Sequence, residues 1–206
     1  MRRISVTVPL LLIAVAGVSS QCLTNPLSMR LGLEPGISVC TYDADDGGNI
    51  YTGGGMHIGI GMGSDFFRLI AFDMRLQFKT TSFGRGEALG RRIRSYKNLM
   101  YPVFLALKAG MLPRVSPYIG LGIGFNIRFA GVERFEFSGG GAIENDIGGS
   151  TAQGFMILGL GAEIKLNKWR IAPRFTANIS GSGDETHPPQ TEEKNYDISV
   201  GFYYSQ

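Results

Sequence analysis

The sequence predicts an all-β transmembrane protein: an eight-stranded antiparallel up-and-down β-barrel with short periplasmic turns and long extracellular loops. Three observations predict it. Residues 118–129 alternate strictly, with Ile119, Leu121, Ile123, Phe125, Ile127 and Phe129 on one side and Tyr118, Gly120, Gly122, Gly124, Asn126 and Arg128 on the other. The same register recurs along the chain, as a wall between lipid and a polar interior requires. The connections between these segments alternate short and long.

The N-terminus reads as an export signal. Arg2 and Arg3 precede an apolar stretch at residues 8–18, and Val18-Ser19-Ser20 offers small residues to a signal peptidase. Residues 1–20 are therefore expected to be a cleaved secretory signal peptide, residues 21–28 a periplasmic N-terminal segment and residues 29–206 the barrel domain. The apolar run is too short to cross a bilayer as a helix. Gln21 before Cys22 fits a lipobox poorly.

Taking away Arg2 and Arg3 leaves 18 of the 20 basic residues against 17 acidic ones, so the basic balance argues for no nucleic-acid partner. Thirty glycines, 11% aromatic residues and only 18% charged residues fit an all-β chain. Cys22 and Cys40 flank the first strand, and about ten extended residues hold them roughly 30 Å apart, beyond the reach of a disulfide. Two free thiols are expected, unless the N-terminal segment folds back through the barrel.

Each strand follows in order. The first, 29–39, sets Met29, Leu31, Leu33, Ile37 and Val39 against Arg30, Gly32, Glu34, Gly36 and Ser38. The second, 55–63, sets Met56, Ile58, Ile60 and Met62 against His57 and three glycines. The third, 68–80, opposes Ile70, Phe72, Met74, Leu76 and Phe78 to Asp73, Arg75, Gln77 and Lys79. The fourth, 98–111, opposes Leu99, Tyr101, Val103, Leu105 and Leu107 to Phe104 and Lys108. The fifth is 118–129. The sixth, 154–166, opposes Met156, Leu158, Leu160 and Ile164 to Gly159, Gly161, Glu163 and Lys165. The seventh, 169–179, opposes Trp169, Ile171, Phe175 and Ile179 to Arg170, Arg174, Thr176 and Asn178. The last, 196–204, opposes Tyr196, Ile198, Val200, Phe202 and Tyr204 to Asp197, Ser199, Gly201 and Tyr203. No charge falls on the apolar face in this register. Pro35, Pro102 and Pro173 lie within strands and predict bulges or strand ends.

Residues 62–67, 112–117 and 166–169 are read as tight turns, and 42–54, 81–95, 131–153 and 181–195 as long loops. An even strand count puts both chain ends on the short-turn, periplasmic side. Strands of about 10–12 residues tilted by some 40° rise roughly 25–30 Å, the thickness of a hydrocarbon core. Tyr101, Trp169, Tyr196 and Tyr204 fall where an interfacial girdle would sit. A soluble barrel with the apolar face inside is disfavoured, since eight strands enclose too little room for several dozen large side chains. In the membrane orientation the glycines leave space for Arg30, Arg75, Lys108, Arg128, Arg170 and Arg174, with Glu34, Asp73, Glu163 and Asp197 as partners.

Residues 101–108 (Tyr-Pro-Val-Phe-Leu-Ala-Leu-Lys), followed by 116–122 (Ser-Pro-Tyr-Ile-Gly-Leu-Gly), resemble the fourth and fifth strands of PorT-like outer-membrane β-barrel proteins. Residues 158–163 and the strand carrying Arg174 resemble the same family. The resemblance implies the small eight-stranded barrel fold, an outer-membrane location and a link to a secretion apparatus. The chain departs from the common outer-membrane ending, since Ser205 and Gln206 follow the aromatic Tyr204.

Little in the sequence points to chemistry. The glycine pairs lie two apart inside strands, not at a strand–helix turn, so they are not a nucleotide loop. Residues 43–49 resemble the start of a calcium loop, but Gly54 stands where the bidentate glutamate belongs. His57 and His187 are isolated, so no metal site is expected. A lipid A-modifying role for His57 would need a serine and a carboxylate beside it at the bilayer rim. The expectation is a non-enzymatic protein without cofactor or metal, with a structural or interaction role and a narrow pore as the alternative. Its expected surroundings are outer-membrane lipid and lipopolysaccharide, the barrel assembly machinery during biogenesis, and a periplasmic or surface protein partner. The segment bearing Arg134, Phe135, Glu136, Phe137, Glu144 and Asp146 is a candidate contact surface.

Overall fold

A computed structural model describes residues 28–44, 49–66, 70–109, 114–147, 151–180 and 192–205. The signal-peptide and N-terminal segment readings, Cys22, His187 and most of the acidic 43–49 stretch lie outside these residues.

Period-two patterning produces nine strands: β1 Ser28–Ala44, β2 Asn49–Phe66, β3 Ile70–Glu87, β4 Gly90–Lys108, β5 Val115–Phe137, β6 Ala142–Asp146, β7 Thr151–Leu166, β8 Trp169–Ser180 and β9 Glu192–Ser205. Each pairs antiparallel with its neighbour, and β1 closes on β9 through the ladder from Arg30↔Ser205 to Asp43↔Glu192. Eight strands form the ring. The short β6 pairs with the outer part of β5 between Val132↔Asp146 and Glu136↔Ala142.

The apolar faces of the strands point outward. Leu121 is 65% exposed and Met56 67%, while Phe104, at an inward position, is 0% exposed. Water would penalise several dozen such side chains at roughly 25 cal/mol per Å². A belt of this kind around a closed barrel is the surface that lipid, not water, covers.

The strands run much further than the amphipathic segments. Most of the predicted loop at 81–95 is β3–β4 hairpin, turning at Ala88 and Leu89. The described part of the 131–153 loop is the end of β5, a tight turn, β6 and the start of β7; the described part of 42–54 is paired strand. The β5–β6 turn uses Gly140 (φ 93°) and Gly141 (φ 91°), a left-handed conformation that glycine adopts at no steric cost. At the opposite rim, Asn167 (φ 55°) makes the tight Leu166–Trp169 connection, as asparagine tolerates.

The prolines behave differently from the bulges or strand ends the sequence suggested. Pro35, Pro102 and Pro173 lie inside β1, β4 and β8, and each coincides with a two-residue interruption of one ladder. The β1–β9 pairing skips from Leu33↔Phe202 to Gly36↔Ser199. The β3–β4 pairing skips from Met74↔Val103 to Gln77↔Met100, and β7–β8 from Gly161↔Arg174 to Ile164↔Ile171. Register is unchanged across each gap, because a proline removes a donor without adding a residue. The only register shift among the described ladders is at Lys97/Asn98, where no proline stands.

Candidate functional site

The inward faces of the ring meet in a charged cluster. Nearest the short-turn rim, Lys108 on β4 donates from Nζ to Asp65 Oδ1 and Glu163 Oε2, both at 2.6 Å. Arg30 on β1 donates to Asp65 at 3.2 Å and also engages Glu163 and Asp73. Arg170 on β8 donates from Nη1 to Glu163 Oε1 at 2.7 Å. Its Nη2 reaches Ser205 Oγ at 2.9 Å and Ser28 Oγ at 3.0 Å, tying the two ends of the described barrel together.

Higher in the lumen, Glu34 is 1% exposed and accepts from Arg75 Nη1 at 2.6 Å, Tyr203 OH at 2.7 Å and Ser199 Oγ at 2.8 Å. Arg174 Nη1 lies 3.6 Å from Glu34, its Nη2 donates to Asp73 at 2.8 Å, and its Nε donates to Tyr118 OH at 2.8 Å. Its guanidinium also covers the Phe104 ring at 5.4 Å. Desolvated charges cost several kcal/mol each unless paired and hydrogen-bonded; here every charge of the cluster except Arg75, which bonds Glu34 alone, contacts more than one other strand.

Above this, Lys79 Nζ donates to Asp197 Oδ1 at 2.8 Å, and Asn178 also bonds Asp197. Arg128 donates to Glu193 at 3.0 Å and lies 3.8 Å over the Tyr96 ring. An apolar cluster of Cys40, Tyr51, Phe83 and Tyr96 fills the lumen at this end. Cys40 is a free, buried thiol.

The structure thus brings Arg30, Glu34, Asp73, Arg75, Lys108, Glu163, Arg170 and Arg174 into one network, with Asp197 and Arg128 in separate pairs further along the lumen. The ring has counterparts among solved structures. Neisserial surface protein A superposes with a TM-score of 0.52 at 11% identity, over 84% of this chain and 96% of that one. The outer membrane protein OprG from Pseudomonas aeruginosa does so with a TM-score of 0.51 at 13% identity, over 87% and 95%. The fold is that of small outer-membrane barrels. No protein-family model and no curated protein sequence matches the chain.

Two members of these clusters, Asp65 and Glu193, lie outside the segments the sequence marks as strands, and a third, Lys79, is read as inward-facing but without a partner. Asp65 was assigned to a turn, yet it belongs to β2 and gathers Arg30, Lys108 and Arg170. The signal was present: 65 continues the inward parity of 57, 59, 61 and 63. Lys79 shares parity with Asp73 and Arg75, and Glu193 with Asp197 and Ser199. Their partners came from strands whose shear the sequence does not display.

The interfacial aromatics divide by rim. Trp169 and Tyr204 meet edge to face at 5.5 Å beside the short-turn rim. Tyr196 stacks on Phe175 at 6.4 Å, and Tyr101 is 40% exposed. Tyr101 and Tyr196 lie within β4 and β9 rather than at strand ends, because those strands continue beyond the apolar belt.

His57 is inward-facing and packs across Gly36, where an added Cβ would collide with its ring. Both of its ring nitrogens lack hydrogen-bond partners. This position is away from the lipid-facing rim that a lipid-modifying site would occupy.

Proposed function

We propose that the chain is an integral barrel of a Gram-negative outer membrane, exported through the Sec pathway, with a non-enzymatic structural or interaction role. In this reading the lumen is a brace, and the β5–β6 hairpin presents the contact surface to a periplasmic or surface protein partner. The observation that carries it is the filled interior. Between Arg30, Asp73, Lys108, Glu163 and Arg174 there remains a cavity of about 10 Å³, room for roughly one water. A hydrated ion passing this level would have to break several charge-assisted hydrogen bonds at once.

The hairpin is built to be met. Phe135 and Phe137 pack edge to face at 4.9 Å, Ile143 is 53% exposed, and every residue of β6 is exposed. The outer edge of β6 has no strand partner among the described residues. The PorT-like resemblance of residues 101–108 and 116–122 favours an envelope protein of a secretion apparatus as the partner class.

Two measurements test the reading. Planar-bilayer recordings of the refolded barrel should be silent across salts and voltages; steady conductance would favour the narrow pore. A photo-crosslinker at Ile143, activated in the native outer membrane, should capture one discrete partner. Capture of lipid alone would remove the hairpin's role. Fractionation away from the outer membrane would remove the location.

A further inference from the structure

On the outer wall of β2–β5, at the edge of the apolar belt on the side of the long hairpins, the surface dips into an open groove of about 390 Å³. Its floor is set by cross-strand pairs, Thr80↔Lys97 and Ser82↔Ser95 between β3 and β4, and Lys97↔Ala130 between β4 and β5. The register shift at Lys97/Asn98 falls at this level.

The groove grades from apolar to cationic. At its lower lip Met56 is fully lipid-facing, and Phe78 and Phe129 pair with ring centroids 5.9 Å apart. Hydroxyls follow: Thr80 Oγ1 bonds the Met56 carbonyl at 3.4 Å, and Ser82 Oγ lies 3.0 Å from Ser95 Oγ at an exposed position. Lys97 is exposed beside them. Beyond the groove's lining, further along β3 and β4, Arg91 lies back across Gly84, where an added Cβ would stand 2.8 Å from Arg91 Nη2.

The pairing of nearby charges singles out these two cations. Arg92 has Glu87 at 2.9 Å and Arg94 has Glu133 at 2.6 Å. Glu136, cross-strand from Arg91, is engaged by Arg134 at 3.1 Å. Lys97 and Arg91 have no ion-pair partner among the described residues.

We propose that this groove binds the phosphorylated headgroup of an outer-leaflet glycolipid. Acyl chains run down the Met56–Phe78–Phe129 surface, sugar hydroxyls meet Thr80, Ser82 and Ser95, and phosphate sits between Lys97 and Arg91. A lipid is the fitting occupant because the lower lip belongs to the acyl-facing belt, where a protein would first have to displace lipid. The proposal rests on the outer-membrane reading.

The test uses the full chain refolded into phosphatidylcholine vesicles containing either bis-phosphorylated or dephosphorylated lipid A. Heat-modifiable migration first reports insertion. The barrel is then extracted in mild detergent, and lipid A retained on it is measured by mass spectrometry. Retention should fall about fivefold on loss of the phosphates and about fivefold in Lys97→Gln. Lys168→Gln, at the opposite rim, should leave it unchanged. Equal retention of the two lipids, or wild-type retention by Lys97→Gln, overturns the groove alone. A chain that never inserts removes the outer-membrane reading and the groove with it.

Discussion

Glu34→Gln should destabilise the barrel far more than Arg75→Met, although the two residues share a single 2.6 Å bond. The asymmetry comes from the charge count of the central network. Among the described residues, Arg30, Arg75, Lys108, Arg170 and Arg174 face Glu34, Asp65, Asp73 and Glu163, leaving one cation in excess. Removing Glu34's charge doubles that excess inside a tightly packed lumen. It also turns one acceptor oxygen into an amide donor, set either against Arg75 and Ser199 at the Oε1 position or against Tyr203 at the Oε2 position. Breaking a buried pair this way costs about 3–5 kcal/mol. Arg75→Met brings the network to neutrality and leaves Glu34 with Arg174, Tyr203 and Ser199. Its cost should be that of one charge-assisted bond, about 1.5–3 kcal/mol. The double variant should cost less than the sum of the two, since they act on one interaction. Trp169 is the only tryptophan, and it lies on the outer face beside Tyr204, so its fluorescence follows denaturant unfolding from vesicles. A difference of about 2 kcal/mol is roughly 30-fold in the unfolding constant. If Arg75→Met costs as much as Glu34→Gln, the network is not cation-rich and the brace is wrongly described.

Three further outcomes follow from burial and packing. Cys40 is 0% exposed, so an aqueous maleimide should leave it unmodified in the folded barrel and label it after unfolding; rapid native labelling would mean the lumen is open to water from the long-hairpin end. In a cysteine-free background, a lipid-soluble probe should label Phe125→Cys and spare Asn126→Cys, and the reverse would invert the wall. Gly159→Ala sets a Cβ 2.8 Å from the Phe104 ring and 3.1 Å from Thr176 Cγ2, which should cost about 1–3 kcal/mol. Phe104→Leu in the same chain should relieve part of that loss; additive losses would mean the ring is not what the methyl meets.

Parity was legible in the sequence because the bilayer enforces it. A one-residue error in β5 would turn Arg128 to lipid and Ile127 to the lumen, so each strand carries its own record of orientation. Strand length was not legible, because the enforcing solvent changes above the belt. In β3 and β4 the stretch with Arg85, Arg91, Arg92 and Arg94 pairs as regularly as the membrane part, yet looks polar all round. Gly53 and Gly54 fall in the loop the sequence predicts at 42–54, but an added Cβ at Gly53 would collide with the Ser82 carbonyl. That glycine answers a close approach between β2 and β3, not a need for flexibility. The identities of the lumen charges were readable from parity, while their partners depended on the shear of the closed ring.

The network and the prolines, which looked like separate oddities, coincide. Each ladder gap exposes a charged residue of the network: Glu34 beside Pro35 in β1, Arg75 in the β3 stretch facing Pro102, and Glu163 in the β7 stretch facing Pro173. Where β1 and β9 lose backbone pairing, Glu34 bonds Ser199 and Tyr203 of β9. Where β7 and β8 lose it, Glu163 bonds Arg170 of β8 at 2.7 Å. At the third gap Arg75 reaches past its neighbour to Glu34 on β1. A backbone ladder ties only adjacent strands; the Glu34 and Glu163 bonds to β9 and β8 do so too, but Arg75 to Glu34, and Glu163 to Arg30 and Lys108, cross the lumen and join β1, β3, β4 and β7. Replacing local pairing with bonds across the lumen makes closure of the whole ring a condition for stabilising any one seam. Replacing Pro102 with a residue that can donate should therefore strengthen the β3–β4 ladder while leaving the cross-lumen bonds in place, and the Glu34→Gln penalty should shrink in that background. An unchanged penalty would show that the gap and the network are independent.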